Sequence, residues 1–171
     1  PISSTAHLIL TSKLLNLEVT EFLKTFEISI QLGAIASVVF LYWKTLISKW
    51  DLNKKIVFAF IPTAVIGFLF YDLVKGVFLE NHLVSVYSLM IGGAALIVFE
   101  LLHKEKDFDI GELEKITYGK SFVIGLFQSI SIIPGVSRAA ATILGGMLLG
   151  VKRKIIVEFS FLLAIPTMAA A

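Results

Sequence analysis

Long apolar blocks separated by short charged stretches set the pattern along this chain. Residues 26–43, 56–71 and 84–102 each carry no more than one charge. Crossing a bilayer as helix takes about 20 such residues, so the three blocks are predicted as transmembrane helices. A fourth block, 155–171, reads as the start of a further transmembrane helix. No block alternates polar and apolar positions with period two, which argues against membrane strands.

Two further segments are apolar but interrupted. Residues 121–150 are broken by Pro134-Gly135 and contain Arg138, and residues 1–17 are short with a polar start. Broken helices at membrane depth are tolerated where they are buried in protein or line a cavity. The segment 121–150 is therefore expected to be a re-entrant helix hairpin, and 1–17 the second arm of another. The basic residues agree. Lys44, Lys49, Lys54, Lys55, Lys104, Lys106, Lys115, Lys120, Lys152, Arg153 and Lys154 fall on one side of this topology, and only Lys13, Lys24 and Lys75 on the other. The positive-inside rule makes the first side cytoplasmic, provided that 121–150 enters and leaves on that side.

The two interrupted segments are also alike. Pro1-Ile-Ser-Ser-Thr-Ala aligns with Pro134-Gly-Val-Ser-Arg-Ala, matching Ser3 with Ser137, and further along Glu27 meets Glu158 after a short slip. One hairpin opening outward and one inward is the inverted repeat of many transporters, with the site near the bilayer midplane. The expected fold is thus an all-α, polytopic membrane protein with inverted-topology repeats and two re-entrant helix hairpins, in a single domain over 1–171.

Composition sharpens the picture. Of 171 residues, 57% are hydrophobic and 16% charged, against about 45–50% and about 25% in soluble domains; the mean hydropathy is +0.88. A net charge of +2 is too small to suggest a nucleic-acid partner, and with no cysteine there is neither a disulfide nor a thiolate site. The chain opens on Pro1 and its last apolar run is unfinished at Ala171, so both ends look cut.

Arg138 is the residue that most needs a role. A cation at the bilayer centre costs at least about 2.5–3.5 kcal/mol on insertion scales. A structural ion pair or snorkelling would account for it, but its neighbours favour an anionic ligand. Gly135 removes side-chain bulk so that backbone can approach a ligand. Ser137 is placed to cap the next helix, whose start favours phosphate. A guanidinium fork suits phosphate oxygens, and Thr142 follows on the same helix face. At the other motif, Ser3, Ser4 and Thr5 open a helix, where they serve as caps or as phosphate ligands. His7 lies three positions after Ser4, within reach of it, and an imidazole suits the activation of a serine. Glu27 and Gln31 sit one turn apart and line the cavity or cap a helix. His82 and His103 read as solvated loop residues. No metal-ligand spacing, Walker loop or dinucleotide fingerprint is present.

These motifs resemble those of bacterial undecaprenyl-diphosphate phosphatases, the bacitracin-resistance proteins. Pro1-Ile-Ser-Ser-Thr-Ala-His7 is similar to the family's P-V-S-S-T-G-H segment, and Pro134-Gly-Val-Ser-Arg-Ala-Ala-Ala-Thr142 to its P-G-x-S-R-S-x-x-T segment. Thr25–Gly33 and Glu158–Pro166 resemble further family segments. The resemblance implies a multi-pass enzyme of the bacterial inner membrane with its site facing outward. Such an enzyme removes one phosphate from undecaprenyl diphosphate for cell-wall synthesis, aided by a divalent cation, Mg²⁺ or Ca²⁺. It implies Ser4 as nucleophile, His7 as its base or acid, and Arg138 as diphosphate clamp. Substrate binding would fall to Ser3, Thr5, Gly135, Ser137 and Thr142, with Gln128, Glu27 and Gln31 lining the site. Whether Ser4 or water attacks stays open. Ala6 and Ala140 stand where the family has glycines, and Ala139 where it has a second serine. The family's acidic E-x-x-x-E motif and its last spans fall outside this chain, so the fragment alone is expected to be inactive. The expected partners are a polyprenyl diphosphate lipid and the membrane, and a homodimer is compatible with both. The alternative is an inverted-repeat transporter or lipid-phosphate flippase, which broken helices and an intramembrane cation suit equally.

Overall fold

The computed structural model describes residues 3–18, 20–71, 82–106 and 109–170. Pro1, Lys75 and Ala171, used in the sequence reading, lie outside them. Among the described residues there are seven α-helices: α1 (Ser4–Leu14), α2 (Glu21–Ser48), α3 (Trp50–Leu69), α4 (His82–Leu102), α5 (Tyr118–Ser129), α6 (Arg138–Leu148) and α7 (Arg153–Ala169). Within α2, α3 and α4, three stretches are long and apolar enough to cross a membrane: Glu21–Ser48, Trp50–Leu69 and Leu83–Leu102.

The helices extend beyond the apolar blocks because caps, and not hydropathy, end them. The Thr20 hydroxyl accepts from Leu23 N at 3.2 Å and starts α2 well before Phe26. The expected loop 44–55 is almost entirely helical. Lys49 alone separates α2 from α3, and Lys55 is buried inside α3. The Lys55 ammonium donates to Glu114 O at 2.7 Å and pairs with Asp51 at 2.6 Å, while Asp51 also accepts from Tyr118 OH at 2.7 Å. Beside it, Lys49 pairs with Glu114 at 2.6 Å and holds that carboxyl below its ordinary range, chiefly through the hydrogen bond. This polar knot fastens the α2–α3 corner to the segment leading into α5.

The core lies where α3, α5, α6 and α7 meet. Leu52, Ile56, Ala59, Ile124, Met147, Ile156, Phe159, Leu162 and Leu163 fill it. At its centre α3 and α5 touch backbone to backbone: a Cβ on Gly125 would lie 1.9 Å from Ala59 O. Helices α2 and α4 stand outside this core, with large apolar residues such as Phe40, Leu41, Leu101 and Leu102 exposed.

Helices α5 and α6 form a hairpin. At 12 and 11 residues they are about 18 and about 16 Å long, roughly half the hydrocarbon thickness. The turn between them passes through a short 3₁₀ segment, Ile130–Ile132, and then Pro134-Gly135. The two ends of the hairpin are tied together. Ile110 N donates to Gly150 O at 2.9 Å, Lys152 N donates to Ile110 O at 3.0 Å, and the Lys120 ammonium donates to Leu149 O at 2.5 Å. The chain therefore enters and leaves this hairpin at the same level. Of the histidines expected in loops, His82 is instead the first residue of α4; His103 lies just past that helix, half-buried with its ring stacked on Phe99, centroids 4.6 Å apart.

Candidate active site

The first tip is the start of α1. Ser3 takes a left-handed conformation (φ 60) and its hydroxyl makes no cap hydrogen bond. Its carbonyl instead accepts from His7 N at 3.2 Å and lies 3.1 Å from His7 Nδ1. A carbonyl only accepts, so in the neutral imidazole Nδ1 carries the proton and Nε2 keeps a free lone pair. Ser4, Thr5 and His7 are exposed along this first turn and the next. Thr5 Oγ1 donates to Gln31 Oε1 at 3.4 Å, and Ser12 Oγ donates to Glu27 Oε1 at 3.2 Å. Glu27 and Gln31, expected to line the cavity, thus fasten α1 to α2.

The second tip is the start of α6. Gly135 has φ 95, and a Cβ there would lie 2.4 Å from Ser85 O and 2.9 Å from Ser88 Cβ. The space that glycine frees, expected to admit a ligand, is taken up by α4. Ser137 caps α6 as the sequence suggests, its hydroxyl accepting from Ala140 N at 3.2 Å. Ala141 N bonds to Ser137 O. Among the described residues the N–H groups of Arg138 and Ala139 are left at this helix start, the arrangement that favours an anion. Arg138 Nη1 is buried and, among the described residues, has no hydrogen-bond partner. An unpartnered buried guanidinium nitrogen is costly, so this atom is one that a bound anion would satisfy.

Both tips open on one cleft of about 1510 Å³ between α4 and the hairpin, lined by His7, Ser88, Gly135, Ser137 and, further along, by apolar residues of α4 and α6. Gly92, Gly93, Ala94 and Ala95 keep the α4 wall shallow. The lining is mostly apolar, with His7, Ser88, Ser137 and His103 as its polar side chains; Ser3, Ser4, Thr5 and Arg138 flank the cleft residues in sequence but do not line it. Among the described residues no group of three His, Cys, Asp or Glu converges to hold a metal ion. Oxygen-rich carboxylate sets are what Mg²⁺ and Ca²⁺ require, so these residues do not fit a cation site of their own.

Thr142 of α6 and Gln128 of α5, expected beside the substrate, are fully buried. Their polar atoms meet each other and Thr63, Thr167 and the Arg138 carbonyl. Thr63, Ser129 and Thr167 were not singled out by the sequence reading. The available signal was their polarity within otherwise apolar stretches.

The family model of the bacitracin resistance protein BacA matches residues 1–171. Similar curated proteins include the undecaprenyl-diphosphatase of Aquifex aeolicus, 55% identical over 171 residues, which are 100% of this chain and 66% of that protein. That of Sulfurihydrogenibium sp. is 52% identical, with 100% and 67% covered, and that of Campylobacter jejuni is 47% identical, with 100% and 63% covered. The chain spans about two thirds of the length of these relatives.

Proposed function

The chain belongs to the bacitracin resistance protein BacA family, and on that footing we propose that the protein removes the terminal phosphate of undecaprenyl diphosphate. The product, undecaprenyl phosphate, would be the carrier reused in cell-wall synthesis, and its regeneration would confer bacitracin resistance. One observation supports this reading most: His7 and the Gly135–Ser137 turn line the same cleft, whose remainder is mostly apolar. The relatives' name, undecaprenyl-diphosphatase, agrees with it.

In this reading the diphosphate sits between the two helix starts, with Arg138 and the free N–H groups of α6 on its oxygens. Charge on those oxygens grows as the phosphoryl group transfers, and fixed donors stabilise it without reorganising. Ser4 Oγ, or a water in its place, attacks the terminal phosphorus, and its proton passes to His7 Nε2. The bond from that phosphorus to the bridging oxygen breaks, and the lipid monophosphate departs with the bridging oxygen. If Ser4 attacks, water then cleaves the phosphoserine and restores the hydroxyl. The prenyl tail lies along the apolar wall of α4 and α6. A divalent cation would arrive with the phosphates, and no step here is assigned to it.

The topology belongs to the same proposal. The α5–α6 hairpin would be re-entrant from the cytoplasmic side of the inner membrane, with α1 its inverted counterpart and the cleft's polar end facing outward. The decisive experiment is incubation of purified, detergent-solubilised protein with a polyprenyl diphosphate. Release of one inorganic phosphate per lipid is expected. Tight binding of the lipid with no release would favour a transporter or flippase instead.

A further inference from the structure

Gln128 is 0% exposed, yet its amide is aimed with unusual definition. Thr167 Oγ1 donates its proton to Leu163 O at 2.7 Å, and Thr63 Oγ1 donates to Gly125 O at 3.2 Å. Each hydroxyl has one proton, so both threonines turn lone pairs towards Gln128. Its Nε2 donates to Thr63 Oγ1 at 3.0 Å and to Thr167 Oγ1 at 3.1 Å. The amide cannot flip without facing acceptor to acceptor, so Oε1 is left pointing at α6. There it takes a share of the Thr142 hydroxyl at 3.4 Å, whose main acceptor is Arg138 O at 2.9 Å. Thr63 belongs to α3, Gln128 to α5, Thr142 to α6 and Thr167 to α7. Four helices thus meet in a chain of hydrogen bonds that ends on the backbone of Arg138.

We propose that Gln128 is a positioning residue for Arg138, acting through Thr142, and that Thr63 and Thr167 fix the orientation of its amide. Satisfied buried networks rigidify the groups they join. Apolar contacts alone let α6 turn or slide slightly, since one methylene packs much like another. The bond from Thr142 to Gln128 Oε1 of α5 is directional and restrains both motions, and Thr142 passes that restraint to Arg138 O one turn back in its own helix. The guanidinium lies at the end of a long side chain, so a small rotation of its backbone moves it by a larger distance. The inference rests on Arg138 being the diphosphate clamp.

The test is a double-mutant cycle on binding of a non-hydrolysable polyprenyl diphosphonate to the intact, detergent-solubilised protein. Gln128→Met keeps the volume and removes the amide. It is expected to weaken binding about tenfold when Arg138 is present and to add no further loss in the Arg138→Ala background, as residues acting as one unit are non-additive. Thr142→Val is expected to behave as Gln128→Met does, and Thr142→Ser, which keeps the hydroxyl, to bind like the parent. Equal losses from Gln128→Met in both backgrounds, no loss in either, or failure of Thr142→Ser to retain affinity overturns the positioning role. Unchanged binding in Arg138→Ala alone overturns instead the clamp reading beneath it.

Discussion

Replacing Arg138 with alanine in the intact protein is expected to lower phosphate release from a polyprenyl diphosphate by at least about a thousandfold. Loss of a single preorganised oxyanion donor costs about 10²–10³ in rate, and loss of an arginine on a transferring phosphoryl group about 10³–10⁵. Arg138 combines both roles in the proposed site. Its Nη1 is buried and, among the described residues, unpartnered, which leaves it available to the diphosphate of the proposed function. Arg138→Lys keeps the charge but not the fork and should recover only a small part of the rate. A steady-state assay of phosphate release checks this, and turnover of Arg138→Ala within tenfold of the parent would remove the residue from the site.

The second large effect concerns the fold. Gly125→Ala is expected to prevent stable folding, seen as loss of monodisperse protein in detergent and a much lower unfolding temperature. The added Cβ would stand 1.9 Å from Ala59 O, where ordinary contact begins at 3.4 Å, so α3 and α5 would have to part by more than an ångström. Overpacking a core with side chains costs about 1–3 kcal/mol; here a rigid backbone carbonyl is the obstacle, and Thr63 Oγ1 loses its bond to the Gly125 carbonyl as the helices separate. Gly119→Ala is the control. It lies in the same helix with nothing within 4 Å of its Cβ, and alanine there should be neutral or stabilising by about 0.5–1 kcal/mol. Equal behaviour of the two variants would show that the α3–α5 crossing does not hold the fold together.

The three helices long and apolar enough to cross a membrane were legible because hydropathy reports whether a segment can leave water. The hairpin was legible for a different reason: Pro134-Gly135 cannot continue a helix, and Ser137 can start one. Which face of each helix packs inward was not legible. Lipid and protein interior are both apolar, so a membrane helix shows little contrast between its two sides. Lys55 reads as a loop residue because it belongs to the charged stretch between two apolar blocks, but it lies buried in α3, tied to Asp51 and to Glu114 O.

The site was half readable for a related reason. Local motifs point to His7 and Ser137, which line the cleft, because caps and i, i+3 neighbours are set within one turn. The partners of Gln128 come from three other helices, at separations of 65 residues for Thr63 and 39 for Thr167. No spacing rule reaches so far. Gly135 was identified for the right property and the wrong neighbour: the close approach is to Ser85 of α4.

The most direct test of the shared site uses single cysteines, which are clean probes because the chain has none. His7→Cys and Ser137→Cys each place a thiol on the cleft, one per tip, and the rate of labelling by a water-soluble thiol reagent is measured with and without farnesyl diphosphate. The account predicts that the diphosphate slows labelling at both positions while farnesol does not. Protection at one position with none at the other would contradict it, because the two helix starts would then not face the same anion.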